Sequence, residues 1–539
     1  MPPREKLRPG HSENALRASD HSRLHAALEY LTIGIAVAAG AWLLYFAAMT
    51  VLTPHPIEYR EGAAQVLTQL LLAGRNPFTP ENQPLGMTNY GIVFSLAVWP
   101  LAALFGNTLL VHRLIAVLFL GLSAYVVFRT AISSNKQAAL SVIGAELVAA
   151  ALAARGGLGG YPSSMGAFFF LAAIAVPFLR GFERWSLVLS GVASLLAFYS
   201  KPYFVLGFGI VASYTFLFVS KRAGLIFTLG FAAVAALSAL IVRSVLPFYF
   251  FDTVFSNLAQ TAENNVGHMY GQLRQLGAEF YLSLIAALLA VAADLAGGRR
   301  RATEPVRIFA RQNLLALDQP LLSRKLDCFA YASLCSMLAF VVILGPNPEN
   351  YMNYAYQLIV PLLVLWLVRG LSSGSTLPVF VTPLLLVNLA LFCELRLGPD
   401  VLKRTAENAA VWSKLSGYVD RCPRILNSPT VVPELIRLGL WPIDSGHTQY
   451  YFEARPYPGM RWFGADYDII AASGKLYFES MRAAVAHQEF DCVLLARHSG
   501  WPRNLPLRRG RYQLADSMVI AMPQTDQTWQ MDIWLPATE

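Results

Sequence analysis

Residues 28–62 read LEYLTIGIAVAAGAWLLYFAAMTVLTPHPIEYREG, an apolar run followed by a short polar stretch with two glutamates. A helix that crosses a bilayer needs about 20 mostly apolar residues, and residues 28–52 meet that requirement. Glu58 and Glu61 follow the run and are three positions apart, so a helix here would place both carboxylates on one face. This stretch therefore predicts a membrane-spanning helix that delivers two acidic side chains to the membrane surface.

The composition excludes a soluble multidomain protein, although the length alone would suggest one. The 539 residues are 55% apolar and 14% charged, whereas an ordinary globular chain carries roughly 25% charge. The deficit is local, because about 11% of residues 1–395 and about 21% of residues 396–539 are charged. The apolar content and the five cysteines also exclude a disordered chain and a disulfide-dense scaffold. We predict a membrane domain followed by a water-soluble domain.

Eleven apolar stretches are predicted to span the membrane as helices. They are residues 28–52, 107–128, 138–154, 163–180, 185–199, 202–219, 223–245, 275–296, 327–345, 355–369 and 376–395. The apolar segment 90–105 is left out because it is short and contains Pro100. The predicted organisation is an amino-terminal segment at 1–27, a polytopic α-helical membrane domain at 28–395 whose first outer loop is 53–106, and a soluble domain at 396–539.

The charges of the loops set the predicted orientation. With the amino terminus in the cytoplasm, the inner loops hold 19 lysines and arginines and the outer edges hold six. Cytoplasmic loops are enriched in these residues, so residues 1–27 are predicted to be cytoplasmic. An odd number of spans then places residues 396–539 outside. The net charge of +9 follows from this topology, and a nucleic-acid partner is not needed to explain it.

The carboxy-terminal residues alternate between two patterns. β-rich runs occur at 430–432, 491–495 and 518–522, and helical patterns lie between them at 432–440 and 477–487. Alternation of this kind predicts a small extracytoplasmic α/β domain. Cys422 and Cys492 both fall in this domain, so a disulfide between them is allowed.

Residues 63–73 are predicted to form an amphipathic helix on the outer membrane surface. Its apolar positions recur at helical spacing, and Gly74 and Pro77 end it. A carboxylate at the start of such a helix can accept the proton of an attacking hydroxyl. The alternative is that Glu58 and Glu61 are solvated charges that the helix dipole favours.

Two cations lie close enough to the outer face to take part in the same chemistry. Lys201 ends a span, where it either contacts a phosphate or reaches the lipid headgroups as membrane lysines do. Arg113 lies about six residues inside its span and therefore needs a partner. Its candidate partners are Glu58 or Glu61, the mid-span Glu146, and a phosphate.

The first outer loop resembles that of the GT-C superfamily, the multi-spanning glycosyltransferases that take sugars from polyprenyl-phosphate carriers. The resemblance rests on several motifs in order: Glu-Tyr-Xaa-Glu-Gly at 58–62, Gly-Xaa-Xaa-Pro-aromatic at 74–78, Asn-Tyr-Gly at 89–91, Leu-Phe-Gly at 104–106, and Arg113. It covers residues 28–130 well, and the remainder to 395 by the pattern of spans. The superfamily includes protein O-mannosyltransferases and bacterial transferases that act on lipid A and polysaccharides.

The resemblance implies roles for individual residues. The family usually carries an aspartate in this loop as catalytic base, and the matching positions here are Glu58 and Glu61. Glu61 is favoured because it directly precedes the matching glycine. A Lys-Pro pair at the corresponding outer turn is common in the family, which implies that Lys201, together with Arg113, contacts the donor phosphate. The residues expected to bind substrate are Arg60, Asn89, Tyr90, Asn353 and Tyr354. For the last two, an aromatic belt at the interface is the alternative.

We therefore expect an inverting glycosyltransferase in a bacterial inner membrane, with its active site and carboxy-terminal domain facing the periplasm or the exterior. Its donor would be a polyprenyl-phosphate sugar, and its acceptor an extracytoplasmic lipid, glycan or protein, with membrane lipid around it. The competing class is a polytopic transporter or lipid flippase, which predicts inverted repeats and polar groups at the bilayer midplane.

No cofactor is expected from the sequence. The spacing of histidines, cysteines and carboxylates does not fit a zinc site, and the glycines at 156–160 lack the patterns that hold nucleotides. A divalent ion held by Glu58 and Glu61 is the weaker alternative, because hard cations usually take more carboxylates.

Overall fold

The computed structural model describes residues 10–135, 138–255, 265–298, 316–322, 326–346, 354–370, 377–445, 464–496, 505–508, 511–522 and 527–537. Its helices are α1 (Gly10–Leu52), α2 (Glu61–Leu72), α3 (Val93–Phe105), α4 (Leu109–Asn135), α5 (Ala138–Leu152), α6 (Ser163–Leu179), α7 (Arg184–Ser200), α8 (Leu206–Tyr214), α9 (Lys221–Val245), α10 (Val266–Glu279), α11 (Tyr281–Gly298), α12 (Cys328–Ala339), α13 (Val360–Gly370), α14 (Leu377–Leu397), α15 (Pro399–Val419), α16 (Val432–Arg437) and α17 (Gly464–Ala486). Its strands are β1 (Ile425–Asn427), β2 (Cys492–Ala496), β3 (Tyr512–Met522) and β4 (Gln527–Pro536).

Several helices have the length and composition of membrane spans. Among the described residues, six stretches are long and apolar enough to cross a bilayer: Tyr30–Leu52, Leu109–Ser134, Ala138–Gly157, Pro202–Val219, Lys221–Val245 and Val381–Val419. Shorter apolar helices occur at Val93–Phe105, Ser163–Leu179, Cys328–Leu344 and Ala355–Arg369. The chain is a polytopic helical membrane protein, as predicted, while the count of eleven spans and their orientation stay predictions.

One predicted span has the wrong boundary. Residues 275–296 were expected to form a single helix, but α10 ends at Glu279 and α11 begins at Tyr281. The last turns of α10 carry Arg274, Gln275 and Glu279, and the apolar sequence begins only after the break at Phe280. Hydropathy joined the two helices because it does not register a bend between them.

The expected amphipathic helix is α2, most of which is buried by other parts of the protein, and its position relative to the membrane stays a prediction. Val66 and Leu70 pack against Val432 and Ile436 of α16, which covers this side of the helix. The other side packs against α3 in a separate apolar cluster. α2 and α16 approach each other closely at Gly62, where an added Cβ would lie 2.8 Å from the Cβ of Val432.

The carboxy-terminal residues contain a four-stranded sheet in the order β1-β2-β4-β3. β1 and β2 are parallel, and the other neighbouring strands are antiparallel. The sheet packs on α15 through a core that includes Trp412, Ile520 and Ile533. Cys422 and Cys492 form the disulfide that the sequence allowed, and it ties the end of α15 to β2.

The predicted strand at 430–432 is wrong. Pro429–Val431 form a single 3₁₀ turn, and α16 begins at Val432. Prolines at 429 and 433 explain the difference, because proline fixes φ near the helical value and fits the first positions of a helix. The two other predicted strands lie in β2 and β3, and neither β1 nor β4 was predicted.

Candidate active site

Glu61 begins α2 and is completely buried. Its carboxylate accepts hydrogen bonds from Nε and Nη2 of Arg113, at 2.7 and 2.8 Å. It also accepts from the backbone N–H groups of Ile57 and Gly160, each at 2.9 Å. An anion at a helix start is favoured by the helix dipole, and four donors hold this one in place.

Arg113 of α4 links Glu61 to the carboxy-terminal end of α1 and the residues that follow it. Besides the two bonds to Glu61, its Nη1 donates to the carbonyl oxygens of Thr50 and Thr53, at 3.2 and 2.5 Å. Its Nη2 donates to the carbonyl oxygen of His55 at 2.7 Å. A guanidinium has five N–H donors, and these contacts engage all of them. Of the partners left open by the sequence, the structure therefore selects Glu61.

Glu146 does not take part in this cluster. It lies in α5 against α1, where an added Cβ on Gly40 would be 2.7 Å from its Oε1. The site that the sequence indicated is thus built at helix ends without this carboxylate.

Glu58 is also completely buried, but it precedes α2 and so does not share a helical face with Glu61. Its carboxylate accepts hydrogen bonds from the backbone N–H of Arg60, at 2.9 Å, and from Nε of Arg60, at 2.5 Å. Burial raises the pKa of Glu58 above its usual value, and the Arg60 guanidinium opposes part of that rise. Within the described part of the chain, the carboxylate of Glu58 accepts hydrogen bonds from Arg60 alone.

Lys201 occupies the break between α7 and a short turn that begins at Pro202. It is buried, and its Nζ donates to Oγ of Ser163 at 2.8 Å. Burial and the nearby Arg60 guanidinium hold the pKa of Lys201 well below its usual value, while Glu58 acts in the opposite direction. The alternative of a lysine that extends to the lipid headgroups is therefore wrong.

Three tyrosine rings surround the ammonium group of Lys201. Its Nζ lies 5.0 Å from the ring centroid of Tyr90, 5.4 Å from that of Tyr161 and 5.8 Å from that of Tyr203. These distances are in the range of cation–π attraction. Tyr161 extends the cluster to the first outer loop, because the Arg60 guanidinium lies 5.0 Å from its ring.

Gly91 explains why Tyr90 reaches Lys201. The backbone N–H of Gly91 donates to the carbonyl oxygen of Ser200 at 3.0 Å, which joins the loop before α3 to the turn after α7. An added Cβ on Gly91 would lie 1.8 Å from the carbonyl oxygen of Tyr199, so only glycine permits this approach.

Tyr354 joins the site through Tyr203. The two rings meet edge to face with centroids 4.4 Å apart. The hydroxyl of Tyr203 donates to Oε1 of Gln357 at 2.5 Å. Asn89 is half-buried next to Tyr90, and Asn353 lies outside the described residues.

The structure thus brings most of the predicted site residues together at the ends of separate helices. They are Glu58, Arg60, Glu61, Tyr90, Arg113, Lys201 and Tyr354. It adds residues that the sequence analysis did not select: Gly160, Tyr161, Ser163 and Tyr203. The signal that could have found three of them is the outer turn Gly-Gly-Tyr-Pro-Ser at 159–163, directly after a span.

In the part of the chain that the structure describes, no group of three or more histidines, cysteines or carboxylates has the geometry to hold a metal ion. The expectation about cofactors stays a prediction.

The helical core, in which α2 packs against α16 of the carboxy-terminal residues, has a fold like that of a known GT-C glycosyltransferase. In particular, it is similar to ArnT from Cupriavidus metallidurans, a GT-C enzyme, in its crystal structure bound to undecaprenyl phosphate. The TM-score is 0.52 and the identity 12%, over 94% of this chain and 97% of that chain. The same ArnT in the apo state gives a TM-score of 0.39, with 11% identity over 94% and 98% of the two chains.

No family model and no curated protein matches the sequence. The structural similarity to ArnT nevertheless confirms, at the level of the fold, the resemblance that the first outer loop predicted.

Proposed function

We propose that this chain is an inverting membrane glycosyltransferase that moves a sugar from a polyprenyl-phosphate donor to an extracytoplasmic acceptor. The observation that carries the proposal is one buried cluster of two carboxylates and three cations at the outer helix ends. Displacement of a lipid phosphate by a hydroxyl needs a base for the hydroxyl proton and cations for the departing phosphate. The cluster offers both. The likeness to a protein that binds undecaprenyl phosphate supports this class of donor.

We assign the role of base to Glu58, in place of Glu61, which the sequence favoured. A base needs a lone pair that substrate can approach, and four donors already occupy the carboxylate of Glu61. Glu58 is held by Arg60, and burial raises its pKa, which makes its carboxylate a stronger proton acceptor. Glu61 and Arg113 then position the start of α2 and the loop before it.

Lys201 is assigned to the donor phosphate. The phosphate gains negative charge as its bond to the sugar breaks, so a buried cation stabilises the transition state more than the bound donor. A phosphate next to Lys201 also favours its protonated form, which burial disfavours. Arg60 lies within the same cluster and is the second cation available to the leaving group.

The reaction is a single displacement. The acceptor hydroxyl oxygen forms a bond to the anomeric carbon while its proton passes to Glu58. The bond between that carbon and the phosphate oxygen breaks, and its electron pair leaves with the polyprenyl phosphate. One displacement inverts the anomeric configuration. Positioning and electrostatic stabilisation supply the rate enhancement, and no covalent sugar–enzyme intermediate forms.

The proposed compartment is the outer face of a bacterial inner membrane. The disulfide between Cys422 and Cys492 supports that orientation for the carboxy-terminal unit, because disulfides persist in oxidising compartments. The three other cysteines are unpaired, and all of them lie in the helical part of the chain.

The test is mass spectrometry of membrane lipids from cells that lack this protein, complemented with wild type or with Glu58→Gln. Accumulation of a polyprenyl-phosphate sugar in the null and Glu58→Gln strains, but not with wild type, would support the donor class, and its mass would identify the sugar. An unchanged lipid profile would reject the enzymatic assignment and favour the transporter class, for which flux in proteoliposomes is the assay.

A further inference from the structure

A groove of about 770 Å³ runs between α7 and α9, and its lining includes none of the candidate active site residues. Its walls are mostly aliphatic and aromatic, and two glycines, Gly191 and Gly230, widen it. Both helices expose large apolar side chains beside the groove, including Val188 and Val234. Because α9 is a candidate membrane span, this groove opens toward the hydrocarbon of the bilayer.

One end of the groove is polar and cationic. It is lined by Arg184 at the start of α7, by Arg222 at the start of α9, and by Ser220 and Asp318. Arg222 and Asp318 approach to 3.6 Å, with most of each side chain exposed. The lining of this end therefore carries two guanidinium groups and one carboxylate. The loop charges predict that it faces the cytoplasm.

We propose that this groove binds an anionic phospholipid from the cytoplasmic leaflet, with its phosphate between Arg184 and Arg222 and an acyl chain along the apolar walls. Basic pockets between membrane helices on the cytoplasmic side are suited to anionic headgroups. Arginine binds phosphate through charge-assisted, two-pronged hydrogen bonds. The apolar length of the groove requires a hydrocarbon chain, which a free phosphate ion does not have.

A lipid in this position would stabilise the contact between α7 and α9. At the other end of the groove these helices are joined by a hydrogen bond of 2.9 Å between the hydroxyls of Tyr199 and Ser238. Tyr199 is two residues before Lys201, and its carbonyl oxygen contacts Gly91. The bound lipid would therefore brace the helix end that carries the Lys201 turn.

The experiment is native mass spectrometry of the full-length protein in detergent with added dioleoyl phosphatidylglycerol or dioleoyl phosphatidylcholine. The two lipids share acyl chains and differ in headgroup charge. We expect wild type to retain phosphatidylglycerol preferentially. Each arginine near a membrane surface contributes about a fivefold preference for anionic lipid, so Arg184→Gln with Arg222→Gln should weaken binding about 30-fold.

A second variant removes the space without changing the charge. An added Cβ on Gly230 meets no heavy atom within 4 Å, so Gly230→Leu should fold and fill the groove. Both matched controls lie on α4. Gly121→Leu is the control for Gly230→Leu, because an added Cβ there also meets open space, and Arg129→Gln, nearer the end of α4, is the control for the arginine variants. We expect both controls to bind lipid as wild type does.

Three results would overturn the proposal. The first is equal retention of the two lipids by wild type, and the second is undiminished phosphatidylglycerol binding by Gly230→Leu. The third is a wild-type dimer that Gly230→Leu dissociates, because this result would assign the groove to a second copy of the chain. Lipid binding is measured without sugar transfer, so this inference stands or fails independently of the proposed enzymatic activity.

Discussion

The two sides of the candidate active site are held in different ways. On the Glu61 side, one guanidinium and two backbone amides saturate the carboxylate, and backbone carbonyls engage the rest of Arg113. On the Lys201 side, Nζ donates one hydrogen bond among the described residues, to Oγ of Ser163, and three aromatic rings surround it. We infer that the Glu61 side is a structural scaffold. The Lys201 side is where a ligand can still form hydrogen bonds.

Glu58→Gln is the substitution that tests this division most strongly. The amide keeps the size of the side chain but cannot accept the acceptor's proton. General-base catalysis contributes about 10²–10⁴-fold, so transfer should fall by that factor while the protein folds normally. The measurement is sugar transfer by purified protein, with thermal melting as the control. Transfer at the wild-type rate would show that Glu58 is not the base.

Arg113→Met should break the scaffold side instead. It leaves the Glu61 carboxylate buried without its cation, and loss of one partner of a buried pair costs about 3–5 kcal/mol of folding free energy. We expect a much lower yield of folded protein in detergent, and a lower melting temperature for what remains. Glu61→Gln should show the same loss more weakly, because the amide can still accept hydrogen bonds. Normal melting of Arg113→Met would remove the distinction between the two sides.

The pH dependence of transfer should sharpen the comparison. Glu58 must be deprotonated to act as base, so kcat/KM should fall as pH drops through its raised pKa. Lys201 must be protonated to hold phosphate, so kcat/KM should also fall as pH rises through its lowered pKa. The expected profile is a bell that is narrower than unperturbed Glu and Lys would give. Lys201→Arg should move the alkaline limb alone, and an unshifted limb would argue against Lys201 as the phosphate contact.

Tyr203→Phe should have the smallest effect. It removes the hydrogen bond to Gln357 but keeps the ring beside Lys201 and Tyr354. A hydrogen bond of this kind contributes about 1 kcal/mol, so KM for the donor should rise about fivefold with little change in melting temperature. A loss comparable to that of Glu58→Gln would mean that the tyrosine hydroxyl takes part in the chemistry.

The sequence predicted the parts of this molecule that local pattern controls. Apolar length identified the long helices, and the helix after Glu61 followed from spacing and from the turn at Gly74. Arg113 was found because a charge inside a span needs a partner. The choice among its three candidate partners was left open, since it depends on which helices pack together.

Other features depend on contacts between distant parts of the chain. Tyr161 lies just before α6 and Tyr203 just after α7. Only the folded chain shows that the rings of both tyrosines lie beside Lys201. The covering of α2 by α16 joins residues more than 350 positions apart, which hydropathy does not register. The bend at Phe280 was missed because hydropathy does not register a bend between two helices.

The close approach at Gly62 limits how freely this protein can be recombined. Residues 396–539 could be taken for an appendage that is exchangeable between relatives. A Cβ at position 62 would lie 2.8 Å from Val432, so α16 and α2 fit each other as a pair. A functional chimera would therefore have to transfer residues 61–72 along with the carboxy-terminal unit, and the module that matters for engineering is discontinuous in sequence.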